Sequence, residues 1–244
     1  MSACYLYAIT QGSANHLPAL TGDTLGLCDQ PLHWVTQDGL AASVSAWGDT
    51  YNATAPAANP ATVLRHEQVI EAMMAHGPTL PVRFGTILAN ADQVRQLLAA
   101  RQAAFTADLA HITGRVEMGV RILWEPPPAA NEPPASAMTT PGRRYLQDKA
   151  RNRQQERAIY AQGEAIAHAV NQALRPLATD VRMRILQTQR LLLSAAYLVP
   201  HPCVTDFHTK IAALRQAHPG LALLASGPWP AYHFVSNTES VENQ

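Results

Sequence analysis

The sequence predicts an α+β protein with two domains. Short segments of branched and aromatic residues, typical of strands, alternate with longer segments whose apolar residues recur every three or four positions, as in helices. The predicted elements follow the order β-β-β-α-β-α up to residue 113 and β-α-β-β-α-β from residue 114. The second order is that of the ferredoxin-like split β-α-β motif. We therefore predict one domain over residues 1–113 and a ferredoxin-like α+β domain with a long helix over residues 114–235.

Three strands are predicted at the start of the chain. Residues 4–10 combine tyrosines with leucine and isoleucine, which favour a first or edge strand. Residues 31–36 and 40–47 supply the next two, and Asp38-Gly39 lies between them. Because Asp-Gly readily adopts the positive backbone angles of a tight turn, we expect these two strands to form a hairpin.

The first predicted helix has a clear start and a clear end. Asn59 can cap the free N–H groups of the first turn, and Pro60 suits a position whose N–H would be unpaired anyway. Gly77-Pro78 ends the helix. Four residues at helical spacing are predicted to share the buried face: Val63, His66, Ile70 and Met73.

A short strand over residues 80–87 and a second helix over residues 91–112 complete the N-terminal half. The apolar residues of this second helix are predicted to share one side: Val94, Leu97, Leu98, Phe105, Leu109 and Ile112.

The C-terminal half begins with a strand after Gly114 in which apolar residues alternate with others that include Glu117. The alternation predicts one buried face and one more solvent-exposed face, with Glu117 on the latter. Residues 126–142 contain six prolines and are predicted to form an extended Pro/Ala-rich loop. A long helix follows from about residue 144 to residue 177, and its second half carries an apolar stripe.

Two further strands, a helix and a last strand are predicted beyond the long helix. The four segments are residues 181–185, 191–199, 203–217 and 221–226. The last strand leads into a rigid Gly-Pro-Trp-Pro turn. Residues 236–244 are polar, and we expect a disordered tail there.

The composition argues against several classes of function. The 244 residues include 18 basic and 18 acidic side chains, so the formal net charge is zero and nothing points to nucleic acid or an anionic membrane. Three cysteines without a C-x-x-C pair favour reduced thiols, and the N-terminus lacks the features of a signal peptide. We expect a cytoplasmic protein.

The motifs of common catalytic and cofactor sites are missing. The sequence has no glycine-rich phosphate loop, no nucleophile elbow and no H-E-x-x-H segment. His201, Cys203 and His208 lie close together but match no standard zinc spacing. We therefore predict no enzyme, no cofactor and no metal site.

One polar set is predicted to converge. Glu67 and Glu71 are four residues apart on the first helix, and Arg83 lies in the apolar strand that follows. A buried guanidinium needs carboxylate or carbonyl partners, so we predict a structural ion pair between Arg83 and these glutamates. Two other interpretations stay open, in which Arg83 anchors a partner protein or acts with His66 and Glu67 in acid–base catalysis.

An aromatic residue is held between two prolines near the C-terminus. Pro228 and Pro230 restrict the backbone, so Trp229 is oriented at low entropic cost. Trp229 and Tyr232 are expected either to cover the end of the C-terminal core or to form a docking surface for another chain.

Two sequence segments together resemble the gas vesicle protein GvpF/GvpL family. They are residues 80–86 (LPVRFGT, the LPVRFGT segment) and residues 227–234 (GPWPAYHF, the GPWPAYHF segment). Similar matches occur in the opening strand, at residues 66–78, in the strand after Gly114 and at the start of the long helix. The resemblance therefore covers nearly the whole chain, and the order of the two segments makes it specific.

The resemblance implies a two-domain α+β protein whose N-terminal domain is a ferredoxin-like variant. It also implies a minor gas vesicle assembly protein without known catalytic residues, which contacts the small hydrophobic major shell protein, GvpA, and other accessory gas vesicle proteins. On this basis we predict four partner-binding residues: Arg83, Phe84, Trp229 and Tyr232. The alternative function is a ferredoxin-like regulatory module that binds a small molecule.

Overall fold

A computed structural model describes residues 2–12, 17, 25–49, 55–124, 141–185 and 191–236. In these ranges the chain is an α+β protein with two antiparallel sheets. It forms two compact units: one contains the described residues of Met1–Glu117 and Pro228–Gln244, and the other those of Met118–Gly227. The predicted domain boundary at residues 113 and 114 stays a prediction.

The first sheet begins with the three predicted strands. Their bounds are β1 Ser2–Gln11, β2 Leu32–Gln37 and β3 Leu40–Asp49. Asp38 and Gly39 have φ values of 49° and 79°, which confirms the predicted hairpin turn. The strand order is β2-β3-β1-β4, so β1 lies inside the sheet and is not an edge strand.

Helix α1 (Pro60–Met74) follows β3 and begins where the sequence predicts. The Oδ1 atom of Asn59 accepts hydrogen bonds of 3.0 Å from the N–H groups of Ala61 and Thr62. The buried face comprises His66, Val69, Ile70 and Met73. Val63 is exposed, so its predicted burial is wrong. At about 100° per residue, it lies about 70° from the middle of this face, at the rim.

The single strand predicted over residues 80–87 is two short strands, β4 (Thr79–Pro81) and β5 (Ile87–Leu88). Both pair antiparallel with β1, at opposite ends of it, so the prediction of one continuous strand is wrong. Between them, Val82 donates to the carbonyl of Tyr7 and Thr86 accepts from the N–H of Leu6, so the chain bulges away from β1 over residues 83–85. Gly85 in this bulge has a φ of 88° that favours glycine.

The predicted second helix is present as two helices, α2 (Ala91–Ala100) and α3 (Gln102–Ile112), with a break at Arg101. All six of its predicted core residues are buried. The apolar face that α2 and α3 share was thus predictable from spacing.

The second sheet has the order β7-β8-β6-β9 and two helices. Its elements are β6 Arg115–Trp124, α4 Pro141–Leu174, β7 Asp180–Ile185, β8 Leu191–Pro200, α5 Val204–Ala217 and β9 Leu221–Trp229. The predicted turn at residues 227–229 is wrong, because β9 continues to Trp229; a proline is tolerated in an edge strand. The predicted loop falls outside the described residues except at Pro141 and Gly142, which begin α4, and so does the predicted tail beyond residue 236.

The core of the second unit lies between its sheet and its two helices. Tyr197 of β8 is buried, its ring is 5.4 Å from that of Phe207 in α5, and its hydroxyl donates to Oδ1 of Asn171 in α4. No described helix is long and apolar enough to cross a membrane.

Candidate functional site

The bulge of the LPVRFGT segment is held by two buried side chains. The Nε2 atom of His66 is 3.0 Å from the carbonyl oxygen of Val82, and its Nδ1 atom is 3.1 Å from the hydroxyl of Tyr5. That hydroxyl also accepts a hydrogen bond of 2.9 Å from the N–H of Gly85. A carbonyl can only accept, so Nε2 carries the proton and Nδ1 accepts from Tyr5, which is an assignment from the hydrogen bonds.

His66 is neutral in this arrangement. Its ring is fully buried, and burial lowers the pKa of His66 to about 4. Burial also raises the pKa of Tyr5. The network therefore carries no charge near neutral pH, which suits a structural role and leaves little driving force for acid–base chemistry.

Three rings lie against His66, and Trp47 contacts one of them, that of Tyr5. Together they form the aromatic cluster of Tyr5, Tyr7, Trp47, His66 and Phe84. The ring of Phe84 is 5.5 Å from that of His66 and lies edge-on to it. Phe84 is half-buried against the core of the first unit. Phe84 was predicted to bind a partner, and part of its side chain packs against the core of the first unit instead.

Arg83 lies on the outside of the bulge. Its side chain is exposed, while its carbonyl accepts hydrogen bonds from the N–H and the hydroxyl of Thr86. Burial therefore does not force Arg83 to find a carboxylate. The ion pair with Glu67 or Glu71 stays a prediction.

The GPWPAYHF segment packs against the same cluster and is bonded to α1. The hydroxyl of Tyr232 donates a hydrogen bond of 2.8 Å to Oε1 of Glu67. Burial raises the pKa of Glu67, the hydrogen bond from Tyr232 lowers it, and the charge of Glu71 raises it further. Tyr232 is half-buried and packs against the core around Tyr5 and Tyr7.

Two more carboxylates hold the end of the described chain. Glu117 accepts from the backbone N–H of His233 at 2.9 Å, and its other oxygen is 2.7 Å from Nδ1 of that histidine. The Glu117 side chain is only 7% exposed, so its predicted place on the more solvent-exposed face of β6 is wrong. Asp108 accepts from the N–H and the hydroxyl of Ser236. Residues 231–236 are therefore fixed to α1, β6 and α3.

Trp229 differs from its neighbours in the same segment. It is 42% exposed, whereas Ala231 and Phe234 are buried. Its ring is therefore partly open to solvent, while Tyr232 and His233 beyond it are held by hydrogen bonds.

The described residues contain no group of three His, Cys, Asp or Glu side chains that could hold a metal ion. His201, Cys203 and His208 are among the described residues and do not form such a group. Sequence reasoning missed the roles of Tyr5, Glu117 and Asp108, and no local signal relates these residues to partners far along the chain.

Comparison with known proteins identifies the family. A family model described as gas vesicle synthesis protein GvpL/GvpF matches residues 3–236. Gas vesicle protein F of a Streptomyces species is 28% identical over 242 residues, which cover 95% of this chain and 98% of that protein. Gas vesicle protein F2 of Halobacterium salinarum is 26% identical over 211 residues, covering 81% and 83%.

The fold is also that of solved gas vesicle proteins. The crystal structure of GvpF from an Anabaena species aligns with a TM-score of 0.78 at 23% identity, over 97% of each chain. That of GvpF from Microcystis aeruginosa aligns with a TM-score of 0.76 at 22% identity, over 97% of this chain and 100% of that one. Since the family model spans nearly all of the sequence, the chain belongs to the gas vesicle synthesis protein GvpL/GvpF family.

Proposed function

We propose that this chain is a minor gas vesicle assembly protein that binds the major shell protein, GvpA, and helps to nucleate or chaperone vesicle formation. The family is one of gas vesicle structural proteins and not of enzymes. The observation that carries the proposal is the exposed Trp229 in a segment that hydrogen bonds hold in place.

Trp229 has the properties of an interface anchor. Its indole ring is largely apolar, its backbone is restrained by the adjacent prolines, and little entropy is lost when a partner covers it. Tryptophans in such positions contribute about 2 kcal/mol or more to binding, a factor of about 30 in affinity. A small hydrophobic shell protein offers the apolar surface that would cover this ring.

Arg83 is the second proposed anchor in the first unit. It is exposed on a bulge whose backbone is fixed by His66 and Tyr5, so its position is set before binding. Phe84 and Tyr232 support the backbone of the two segments from inside. We propose that they affect binding through the positions of Arg83 and Trp229.

Co-purification from cells that make both proteins tests this function. Trp229→Ala and Arg83→Ala should each reduce the shell protein recovered per tagged chain, with an unchanged melting temperature. Leu64→Ala is the matched control, since Leu64 is 58% exposed on α1 outside both segments. The proposal fails if the unaltered chain recovers no shell protein while both proteins are soluble. It also fails if Leu64→Ala loses as much binding as Trp229→Ala.

We also propose that the protein acts in the cytoplasm at the growing vesicle, together with other accessory gas vesicle proteins. Fractionation of vesicle-forming cells should place it in the soluble fraction and with immature vesicles, and exclusive recovery with membranes would contradict this.

For the fold, we infer ferredoxin-like topology in the C-terminal half. Its support is the element order β6-α4-β7-β8-α5-β9 together with the spatial order of its strands. The N-terminal domain is proposed as a ferredoxin-like variant, with the domain boundary at residues 113 and 114. Limited proteolysis that yields stable fragments cut near residue 114 would support the boundary, and cleavage within both halves before that site would oppose it.

A further inference from the structure

The net charge of the chain is zero because its two units carry opposite charges. By sequence, the unit Met118–Gly227 has 13 arginine and lysine residues and seven aspartate and glutamate residues, a formal charge of +6. The unit of Met1–Glu117 and Pro228–Gln244 has five basic and 11 acidic residues, a formal charge of −6. Copies of a neutral chain do not repel one another, and the basic unit of one copy attracts the acidic unit of another.

The basic unit presents an exposed ridge on the first half of α4. None of the described side chains of residues 149–162 is buried, so this half of the helix is not packed into the core of its unit. Arg153, Arg157 and Tyr160 recur at spacings of four and three, which places them on one face of the helix. All three are exposed, Tyr160 by 44%. We call these three residues the α4 ridge.

The acidic unit presents a ridge of matching spacing on α1. Leu64, Gln68 and Glu71 also recur at spacings of four and three, and all three are exposed. Leu64 is 58% exposed, although it is a large apolar side chain. We call these three residues the α1 ridge. It is apolar at its first residue and negative at its last.

The two ridges are complementary when the helices run antiparallel. Seven residues separate Arg153 from Tyr160 and Leu64 from Glu71, a rise of about 10 Å in each helix. Tyr160 then lies against Leu64, where its ring covers an apolar side chain. Arg153 lies against Glu71, where the guanidinium can donate two hydrogen bonds to the carboxylate. A parallel arrangement would match neither pair.

We propose that the α4 ridge of one copy of this chain binds the α1 ridge of a second copy. The two ridges are different surfaces, so the contact is heterologous, and a copy bound through one ridge keeps the other for a third copy. The contact is small and partly ionic, which makes the association weak and sensitive to salt. The inference goes beyond the proposed function and does not depend on binding of the shell protein.

Light scattering of the purified chain at increasing concentration tests the association. At about 0.01 M salt the average mass should rise above that of one chain, and at about 1 M salt it should fall back, because screening then acts within about 3 Å. Arg153→Ala/Tyr160→Ala removes the α4 ridge, and Leu64→Ala/Glu71→Ala removes the α1 ridge. Each should lower the association constant at least tenfold with an unchanged melting temperature, since alanine favours helix at exposed positions.

The matched control removes the same kinds of side chain outside both ridges. Arg184→Ala/Leu224→Ala replaces an exposed arginine of β7 and a leucine of β9 that is 50% exposed. This variant should associate as the unaltered chain does. An equal loss in the control would mean that the attraction is not localised to the ridges, which overturns the proposal.

A mixture of the two ridge variants tests the pairing itself. Each variant retains the ridge that the other lacks, so the mixture should form a one-to-one dimer and nothing larger. A mixture that contains only single chains would refute the pairing of α4 with α1. An unaltered chain that keeps the mass of one copy at low salt and high concentration would refute the association altogether.

Discussion

Acidification is predicted to destabilise the first unit through the buried His66. In the folded chain its pKa is lowered from 6.5 to about 4, because burial penalises the charged ring. The unfolded chain therefore binds a proton at a higher pH than the folded chain does. The stability that depends on neutral His66 is complete above pH 6.5 and is lost as the pH falls towards 4.

The size of the effect follows from this difference in pKa. At about 1.4 kcal/mol per pKa unit, the complete loss is about 3 kcal/mol, and about 2 kcal/mol is already lost at pH 5. A typical domain is stable by about 5–15 kcal/mol, so the change is large enough to measure. Protonation of Nδ1 would also remove its capacity to accept from Tyr5, which adds to the cost.

Urea unfolding at pH 8 and pH 5 measures this loss, with tryptophan fluorescence as the signal. Trp47 reports on the first unit, since its ring is 5.7 Å from that of Tyr5. The matched variant is His66→Gln, which can donate to the carbonyl of Val82 and accept from Tyr5 but does not titrate. The free energy of unfolding of the unaltered chain should fall by about 2 kcal/mol more than that of the variant.

Equal losses in the two proteins would refute the reasoning, because they would show that His66 is not the titrating group. Glu67 does not confuse the comparison. Its raised pKa has the opposite sign, since the stability from a protonated carboxyl is present at low pH and is lost as the pH rises, and it is the same in both proteins.

Three substitutions test other parts of the first unit by thermal or urea unfolding. Tyr232→Phe removes the hydrogen bond to Glu67 and should cost about 1–2 kcal/mol, and no loss would show that this bond is not formed in solution. Gly26→Ala places a methyl group 2.5 Å from the hydroxyl of Tyr7 and should cost about 1–3 kcal/mol, whereas a neutral effect would contradict the close packing. Asn59→Ala removes the cap of α1 and should cost about 1 kcal/mol, and a stability equal to that of the unaltered chain would argue against the cap.

The sequence predicted those elements whose causes lie within a few residues. The turn at Asp38-Gly39 depends on two residues that adopt positive φ, and the start of α1 depends on Asn59 and Pro60. The buried face of α2 and α3 follows from helical spacing alone. These predictions are confirmed because each cause is local and is not overridden by packing.

The candidate site was predicted only in part. The two segments that contain Arg83 and Trp229 stood out from the sequence, and both residues are exposed in the structure. Their supporting contacts were not predicted. The bond between Tyr232 and Glu67 joins residues 165 positions apart, and no periodicity carries information over that distance.

The sequence by itself determined the α+β class, most strand and helix positions, and the family resemblance. Only the tertiary structure decided that β1 is internal, that residues 83–85 bulge between two short strands, and that Glu117 is buried against His233. The physical reason is that strand order and the pairing of buried polar groups depend on neighbours that are distant in the chain. Those neighbours come together only when the sheets form.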